Sequence, residues 1–236
     1  MKMKYIYTSF NCSPLAGDVR RKSCKWYIIY IRATYKISGS FFNKINKYKM
    51  EKRLENLAWR KVNGENIPNI NEYVLDYVKN VDKNTKVMVG CDSDNHARKT
   101  NYAITVVFYN EKLRHGAHVV HAMYRVPKIK DIITKLWNEA LFVHSVAESL
   151  DETLRENHYF YKFDKNYYDG SIPERLVEIH VDLNATRATR NGARMTNNKS
   201  NKIYNDVMGW LCGERYKVMA KPYSFSSSSC ADKLCR

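Results

Sequence analysis

The stretch VMVGCDSDNHARKTNYAITVVFY, residues 87–109, contains two hydrophobic runs separated by a short polar turn. Such a pair of runs predicts two antiparallel strands joined as a hairpin. Asp92 lies at the end of the first run, beside Gly90 and Cys91, where the strand is expected to enter a core. An unpaired buried carboxylate is very costly, so we expect Asp92 to be paired, protonated or bound to a metal ion.

The sequence on both sides of this hairpin alternates between the periods of strands and helices. The predicted strands are residues 86–93, 101–110, 118–126, 175–184 and 215–223. The predicted helices are residues 69–81, 128–156 and 201–211, with a final helical turn that the serines of SFSSSSC are suited to cap. This order predicts an α/β fold with a mixed five-stranded sheet flanked by helices.

The chain is strongly basic, which favours a polyanionic partner. Its 236 residues include 40 Lys and Arg but only 24 Asp and Glu, giving a formal charge of +16 and a pI of about 9.5. Nucleic acid is the first candidate for such a partner. Residues 1–49 hold 11 of the basic residues and a single acid, Asp18, so most of the excess charge lies in the first fifth of the chain.

The basic first 49 residues are predicted to be an extension, and residues 50–236 to be the folded domain. The extension is aromatic, lacks a sustained hydrophobic period and is followed by a second plausible start at Met50. Two interpretations stay open. The extension is either a nucleic-acid-binding tail with interleaved Tyr, Phe and Trp, or a translated upstream leader that lies outside the fold.

Composition predicts a cytoplasmic protein without a membrane partner. Mean hydropathy is -0.57, and no apolar run approaches the ~18 residues that suggest a membrane span. The six cysteines form no CxxC pair, which argues against a zinc site and is typical of reduced thiols in the cytoplasm.

The predicted fourth strand, RLVEIHVDLN, separates apolar from polar residues with a period of two. One face carries Val177, Ile179, Val181 and Leu183, and the other carries Glu178, His180, Asp182 and Asn184. An edge strand with a solvated face would show the same pattern. If the first and fourth strands are neighbours, Asp92 and Asp182 lie side by side, and a divalent cation would relieve their repulsion.

Two further acids are candidates for the same site. Glu139 lies beside Ala140 of the apolar helix stripe, so it is expected to edge toward the sheet. Glu148 has the same relation to Ala147 but lies about 13 Å further along a helix, at 1.5 Å per residue, so Glu139 is preferred. Asp232 follows the serine run, where a carboxylate is also favoured simply by a first helical turn.

Three segments in order resemble the YkuK-type predicted nucleases of the ribonuclease H-like superfamily. They are VGCDS with NYAITVV, then VEIHVDLN, then GWLCGERYKVMAKPYSFSSSSCADK, within about residues 86–235. The resemblance implies a sheet of three antiparallel strands followed by parallel strands, and a site for two Mg²⁺ or Mn²⁺ ions. The metal ligands implied are Asp92, Asp182, Asp232 and, with least support from the motifs, Glu139. The final helix is expected to be short, because four residues follow Asp232.

The resulting hypothesis is a metal-dependent nuclease acting on RNA, DNA or their hybrid. His180 would move protons or orient Asp182. The residues assigned to the substrate are Asn184 and, in a basic loop, Arg187, Arg190, Arg194 and Lys199.

Three alternatives compete with this hypothesis. A catalytically inactive nucleic-acid-binding module on the same fold explains the charge, but not three carboxylates at motif positions. A nucleotide-phosphate-binding relative would need glycine-rich loops, and the chain has 9 glycines and no GxGxxG. A metal site at His115, His118 and His121 is disfavoured, because His118 and His121 face opposite sides of a strand.

Overall fold

The computed structural model describes residues 57–82, 84–110, 112, 116–157, 159, 175–184 and 201–235. Seven strands are found in these residues: β1 Trp59–Lys61, β2 Asn66–Ile67, β3 Thr85–His96, β4 Lys99–Asn110, β5 His118–Pro127, β6 Val177–Asn184 and β7 Lys217–Lys221. The helices are α1 Ile70–Asn80, α2 Ile132–Glu156, α3 Asn201–Gly213 and α4 Asp232–Cys235, with a π-helical turn at Ser226–Ala231. One sheet contains all seven strands, in the order β2-β1-β5-β4-β3-β6-β7.

The centre of the sheet has the predicted topology. Strands β3 and β4 pair antiparallel along their whole length, from Thr85↔Asn110 to His96↔Lys99, and β5 pairs antiparallel with β4. Strand β6 then returns parallel to β3, and β7 lies parallel to β6. The prediction of a mixed α/β sheet is confirmed, and the strands that carry Asp92 and Asp182 are direct neighbours.

The sheet has two more strands than the five predicted. A short hairpin of β1 and β2 extends it beyond β5, and its buried Trp59 and Ile67 face each other across the pair. Asn63 and Gly64 lie in the turn, where Gly64 has a φ of 90° and its N–H donates to the Lys61 carbonyl. Asn-Gly between apolar positions is a strong hairpin signal, but strands of three and two residues are too short for a period to be recognised.

Helices α1, α2 and α3 share one core with one face of the sheet. Apolar residues of β3, β4 and β6, such as Val89, Ile104 and Ile179, pack in that core with the α2 stripe. Helix α2 begins at Ile132 instead of residue 128, because the Asp131 side chain accepts from the N–H groups of Ile133 and Thr134. In the described part of the chain, no helix is long and apolar enough to cross a membrane.

The opposite face of β3 and β4 is covered by residues 226–235, which we call the C-terminal segment. Ala231 and Cys235 of this segment are buried against Ala103 of β4. Ala103 is the register partner of Asp92. The C-terminal segment therefore lies over the part of the sheet that carries Asp92.

Candidate active site

Asp92 and Asp182 are brought side by side by the parallel pairing of β3 and β6. The register runs through Gly90↔His180 and Cys91↔Val181, and the next residue on each strand is Asp92 and Asp182. Neighbouring strands lie about 4.8 Å apart. Because side chains alternate along a strand, both carboxylates lie on the face of Gly90 and His180, the face that the C-terminal segment covers.

The surroundings of Asp92 raise its pKa from the usual 3.8 to about 6. Burial is the largest cause, and the negative charges of Asp182 and Asp232 raise the pKa further. The Ser93 N–H and the Lys135 ammonium act in the opposite direction without cancelling the rise. The structure thus gathers three of the predicted ligands, Asp92, Asp182 and Asp232, into one electrostatically coupled group.

Glu139 approaches this group from α2. Its side chain is only 4% exposed, and the Ser93 hydroxyl donates a hydrogen bond to its Oε1. Burial, then repulsion from Asp92, raises the pKa of Glu139 well above its usual value. Glu139 and Asp182 also line one small cavity of about 10 Å³, together with Cys91. Glu148 acts instead on Arg175 and Tyr216, whose pKa values its charge raises.

Two lysines that the sequence analysis did not identify lie at the carboxylates. Lys221, the last residue of β7, places its Nζ 2.6 Å from Asp182 Oδ1. Lys135 donates from Nζ to the Ser93 carbonyl at 2.9 Å and lowers the pKa of both Asp92 and Glu139. Lys135 precedes Glu139 by four residues, so helical spacing alone places the two side chains on one face. The position of Lys221 depends on strand pairing and had no comparable signal.

The donor set fits a hard divalent cation, although the carboxylates have other partners in this structure. Asp92, Asp182, Asp232 and Glu139 offer only oxygen atoms, the ligands that Mg²⁺ and Mn²⁺ prefer. Among the described residues, no three His, Cys, Asp or Glu side chains adopt an arrangement that could hold a metal ion. In this structure Lys221 contacts Asp182, and the Ser93 hydroxyl donates to Glu139.

The C-terminal segment is held by a row of three residues across the sheet, His180, Gly90 and Thr105. The Ser226 N–H donates to His180 Nδ1 at 3.1 Å, and Thr105 Oγ1 donates to the Ser226 carbonyl at 2.9 Å. A Cβ on Gly90 would lie 2.5 Å from backbone atoms of Ser226 and Ser227. Only glycine allows the segment to approach this closely, and Asp92 lies two residues further along β3 on the same face.

His180 is therefore part of the support for the C-terminal segment. Its ring is 3% exposed, and because Nδ1 accepts from Ser226, its proton lies on Nε2. Nε2 is 3.9 Å from Glu178 Oε2 and makes no hydrogen bond to a described residue. The expected contact with Asp182 does not form.

Glu178 shows that the polar row of β6 is not all one site. Burial acts to raise its pKa, but His180, Lys217 at 2.8 Å and Lys86 at 3.5 Å outweigh burial and lower the pKa to about 2. Glu178 is thus the anionic centre of an ion-pair cluster at the start of the strand, away from the end that carries Asp182.

The structure describes some of the remaining predicted residues but not others. Asn184 ends β6 and is the register partner of Lys221. Arg187, Arg190, Arg194, Lys199 and His115 lie outside the described residues. His118 contacts the Tyr73 hydroxyl at 2.6 Å. Its register partner is Phe108, which faces the helices, whereas His121 pairs with Thr105 on the opposite face, so a site that joins these two histidines does not form.

A comparison with known proteins agrees with this architecture. The model of the Ribonuclease H-like family matches residues 69–236, which include α1, β3 to β7 and all four carboxylates. No curated protein and no solved structure matches the chain. Because the family match extends over well more than half of the chain, the protein belongs to the ribonuclease H-like family.

Proposed function

We propose that this protein is a metal-dependent nuclease that hydrolyses phosphodiester bonds of nucleic acid. The observation that carries the proposal is the convergence of Asp182 and Asp232 on Asp92, whose pKa rises to about 6. Carboxylates with strongly raised pKa values cluster at functional sites. The family match and the resemblance of VGCDS and IHVDLN to YkuK-type nucleases support the same activity.

Asp92, Asp182, Asp232 and Glu139 would hold two Mg²⁺ or Mn²⁺ ions. Two such ions, when bound, supply an activated water and stabilise the leaving oxygen of an in-line displacement. Asp92 would be the central ligand, since the charges of Asp182 and Asp232 raise its pKa and its own charge raises the pKa of Glu139. Ser93 orients Glu139 through its hydroxyl. Lys221, which contacts Asp182 in this structure, would turn to the phosphate when metal and substrate bind.

The substrate is held by contacts that are mostly electrostatic. Lys135 and Lys221 already lie at the carboxylates. We assign further contacts to phosphates or sugars to Asn184 and to the loop residues Arg187, Arg190, Arg194 and Lys199. The proposed substrate is RNA, DNA or their hybrid, and the cytoplasm is the proposed compartment.

The test is cleavage of labelled RNA–DNA hybrid, duplex DNA, single strands and a four-way junction, each with Mg²⁺, Mn²⁺ or EDTA. Wild type is compared with Asp92→Asn and Asp182→Asn, and with Asp206→Asn, an exposed acid of α3, as the matched control. We expect metal-dependent cutting that falls at least about 100-fold in the two site variants, since even outer-shell changes at metal sites cost 10–100-fold. In a calorimetric titration, the same two variants should bind Mn²⁺ more weakly than wild type does.

The second candidate is a catalytically inactive nucleic-acid-binding module. The ion pair of Lys221 with Asp182 favours it, because an ammonium group there neutralises a carboxylate that a metal would otherwise need. If no substrate is cut, Mn²⁺ does not bind, and nucleic acid binds equally well to wild type and Asp92→Asn, this module replaces the nuclease.

A further inference from the structure

The turn between β7 and the π-helical turn presents two aromatic side chains to solvent. Of the large hydrophobic side chains in the described residues, three are exposed: Val62, Tyr223 and Phe225. Tyr223 is 72% exposed and Phe225 45% exposed. Two neighbouring aromatic rings that are exposed do not contribute the stabilisation that their burial would give. Their position in one turn therefore suggests a binding role.

The turn that carries these rings is well anchored. Ser224, between them, is fully buried, and its carbonyl accepts hydrogen bonds from the Ser228 N–H at 2.9 Å and from the Ser228 hydroxyl at 2.7 Å. The Tyr223 N–H donates to the Ala220 carbonyl at 2.8 Å. The backbone thus holds Ser224 inward and both rings outward, and the exposure of the rings follows from the fixed turn.

The aromatic turn borders the carboxylates on both sides. Tyr223 follows Lys221, the partner of Asp182, by two residues, a reach of about 7 Å. Phe225 precedes Ser226, whose backbone is bound by His180 and Thr105, in the segment that delivers Asp232. Exposed Lys233 follows Asp232 directly. Aromatic rings, ammonium groups and carboxylates therefore share one edge of the molecule.

The chemistry of this edge identifies its ligand. Bases stack on aromatic side chains irrespective of sequence, while Lys contacts the phosphates between them. A base paired inside a duplex has both faces covered by its neighbours, so only an unpaired base offers a face to an exposed ring. A protein partner could also contact the rings, but it has no need for ammonium groups beside carboxylates that are suited to hold metal ions.

We infer that Tyr223 and Phe225 form a stacking subsite for unpaired bases next to the scissile phosphate, so that the substrate is single-stranded or splayed at this point. This inference rests on the proposed function for its cleavage site, although binding tests it separately. Tyr223 and Phe225 are binding residues and take no part in the bond-breaking step.

The test uses a single-stranded oligonucleotide of about 12 nucleotides, within the site sizes of single-strand-binding domains, as DNA and as RNA, with 2-aminopurine along it. Binding to the full chain is measured in EDTA, so that no cleavage occurs. Stacking quenches 2-aminopurine, and affinity is read in the same titration. The variants are Tyr223→Leu and Phe225→Leu. Tyr223→Phe keeps the ring, and Val62→Ala changes the exposed side chain next to β1, at the other end of the sheet order.

We expect each Leu variant to bind about fivefold or more weakly, as the loss of one base–aromatic stack predicts, with reduced quenching. Tyr223→Phe and Val62→Ala should bind as wild type does. If both Leu variants bind the oligonucleotide and quench 2-aminopurine as strongly as wild type does, the stacking subsite is overturned. It is also overturned if wild type binds neither the DNA nor the RNA oligonucleotide. Cleavage that needs Asp92 but is unchanged in the Leu variants would leave the nuclease standing and remove the subsite. If oligonucleotide binding depends on the Tyr223 and Phe225 rings but the protein cleaves no substrate, the subsite stands and the nuclease is removed.

Discussion

Asp92 is kept in an environment that disfavours its charged form. Its raised pKa means that ionisation at neutral pH costs folding free energy, because burial and the charges of Asp182 and Asp232 oppose it. Active sites commonly hold such destabilising groups, and neutralising them stabilises the fold at the expense of function. A bound cation would offset the same cost.

Replacement of Asp92 by Asn should stabilise the metal-free protein at neutral pH. Between pH 3.8 and about 6, folded protein retains a proton that unfolded chain has lost, so the free energy of unfolding falls as pH rises through this window. The deficit is complete above pH 6 and amounts to roughly 3 kcal/mol, at 1.36 kcal/mol per pKa unit. Below pH 3.8 both states are protonated and the deficit vanishes.

Urea unfolding in EDTA measures this difference. We expect Asp92→Asn to exceed wild type near neutral pH and to match it near pH 3.5, while Asp206→Asn should follow wild type at both. If Asp92→Asn is less stable than wild type at neutral pH, the carboxylate is paired more favourably than its surroundings indicate.

At the scale of elements, three strands cooperate to hold the C-terminal segment. The row His180–Gly90–Thr105 provides an acceptor, an open space and a donor for the backbone of Ser226 and Ser227. Two residues further along β3, Asp92 meets the part of the segment that carries Asp232. Gly90 and Asp92 of VGCDS thus have linked roles, since one admits the segment and the other meets its carboxylate.

Gly90→Ala should displace the C-terminal segment. The added Cβ would lie 2.5 Å from backbone atoms that cannot rotate away. We therefore expect the free energy of unfolding to fall by about 1–3 kcal/mol, as for other overpacked cores, and the cleavage rate to fall as well. The control is Gly209→Ala in α3, where a Cβ meets nothing within 4 Å and alanine should be neutral or stabilising by up to about 1 kcal/mol. Chemical unfolding and hydrogen exchange of residues 226–235 give the readout. If Gly90→Ala has the same hydrogen exchange and the same stability as wild type, the C-terminal segment does not approach Gly90 this closely.

At the scale of the whole molecule, most of the excess positive charge lies in a different part of the chain from the carboxylates. The four carboxylates and the row that supports the C-terminal segment all fall within residues 90–232, whereas residues 1–49 carry 11 basic side chains and one acid. Electrostatic attraction of a polyanion and hydrolysis of its backbone are therefore separable.

The fragment of residues 50–236 should retain metal-dependent cleavage at saturating substrate, once circular dichroism has shown that it is folded. Its binding of single-stranded DNA over a range of salt then distinguishes the two interpretations of residues 1–49. A shallower salt dependence than that of the full chain identifies a nucleic-acid-binding tail, since each neutralised phosphate contributes about 0.7 to the slope for single strands. An unchanged slope identifies a leader. Loss of cleavage in the folded fragment would contradict the separation of charge and chemistry.

The sequence by itself was enough to predict the central sheet and to single out four carboxylates that lie near one another in the fold, while their role as metal ligands stays a prediction. Alternation with a period of two placed Asp182 and His180 on the polar face of β6, and the apolar stripe of α2 placed Glu139 at its edge. These patterns are local, because a strand or helix repeats its side-chain directions within a few residues.

Tertiary structure alone decided which groups contact the carboxylates and which residues hold the C-terminal segment in place. The contact of Thr105 with Ser226 spans 121 positions, and the contact of His180 with Ser226 spans 46. Such contacts depend on strand order and on the path of the C-terminal segment, which no local period encodes. For the same reason the ion pair of Lys221 with Asp182 and the support role of His180 could be found only in the folded chain, because each depends on packing between elements distant in sequence. The β1–β2 hairpin is local but has strands of only three and two residues, too short to show a period, so its place at the end of the sheet was also decided by tertiary structure.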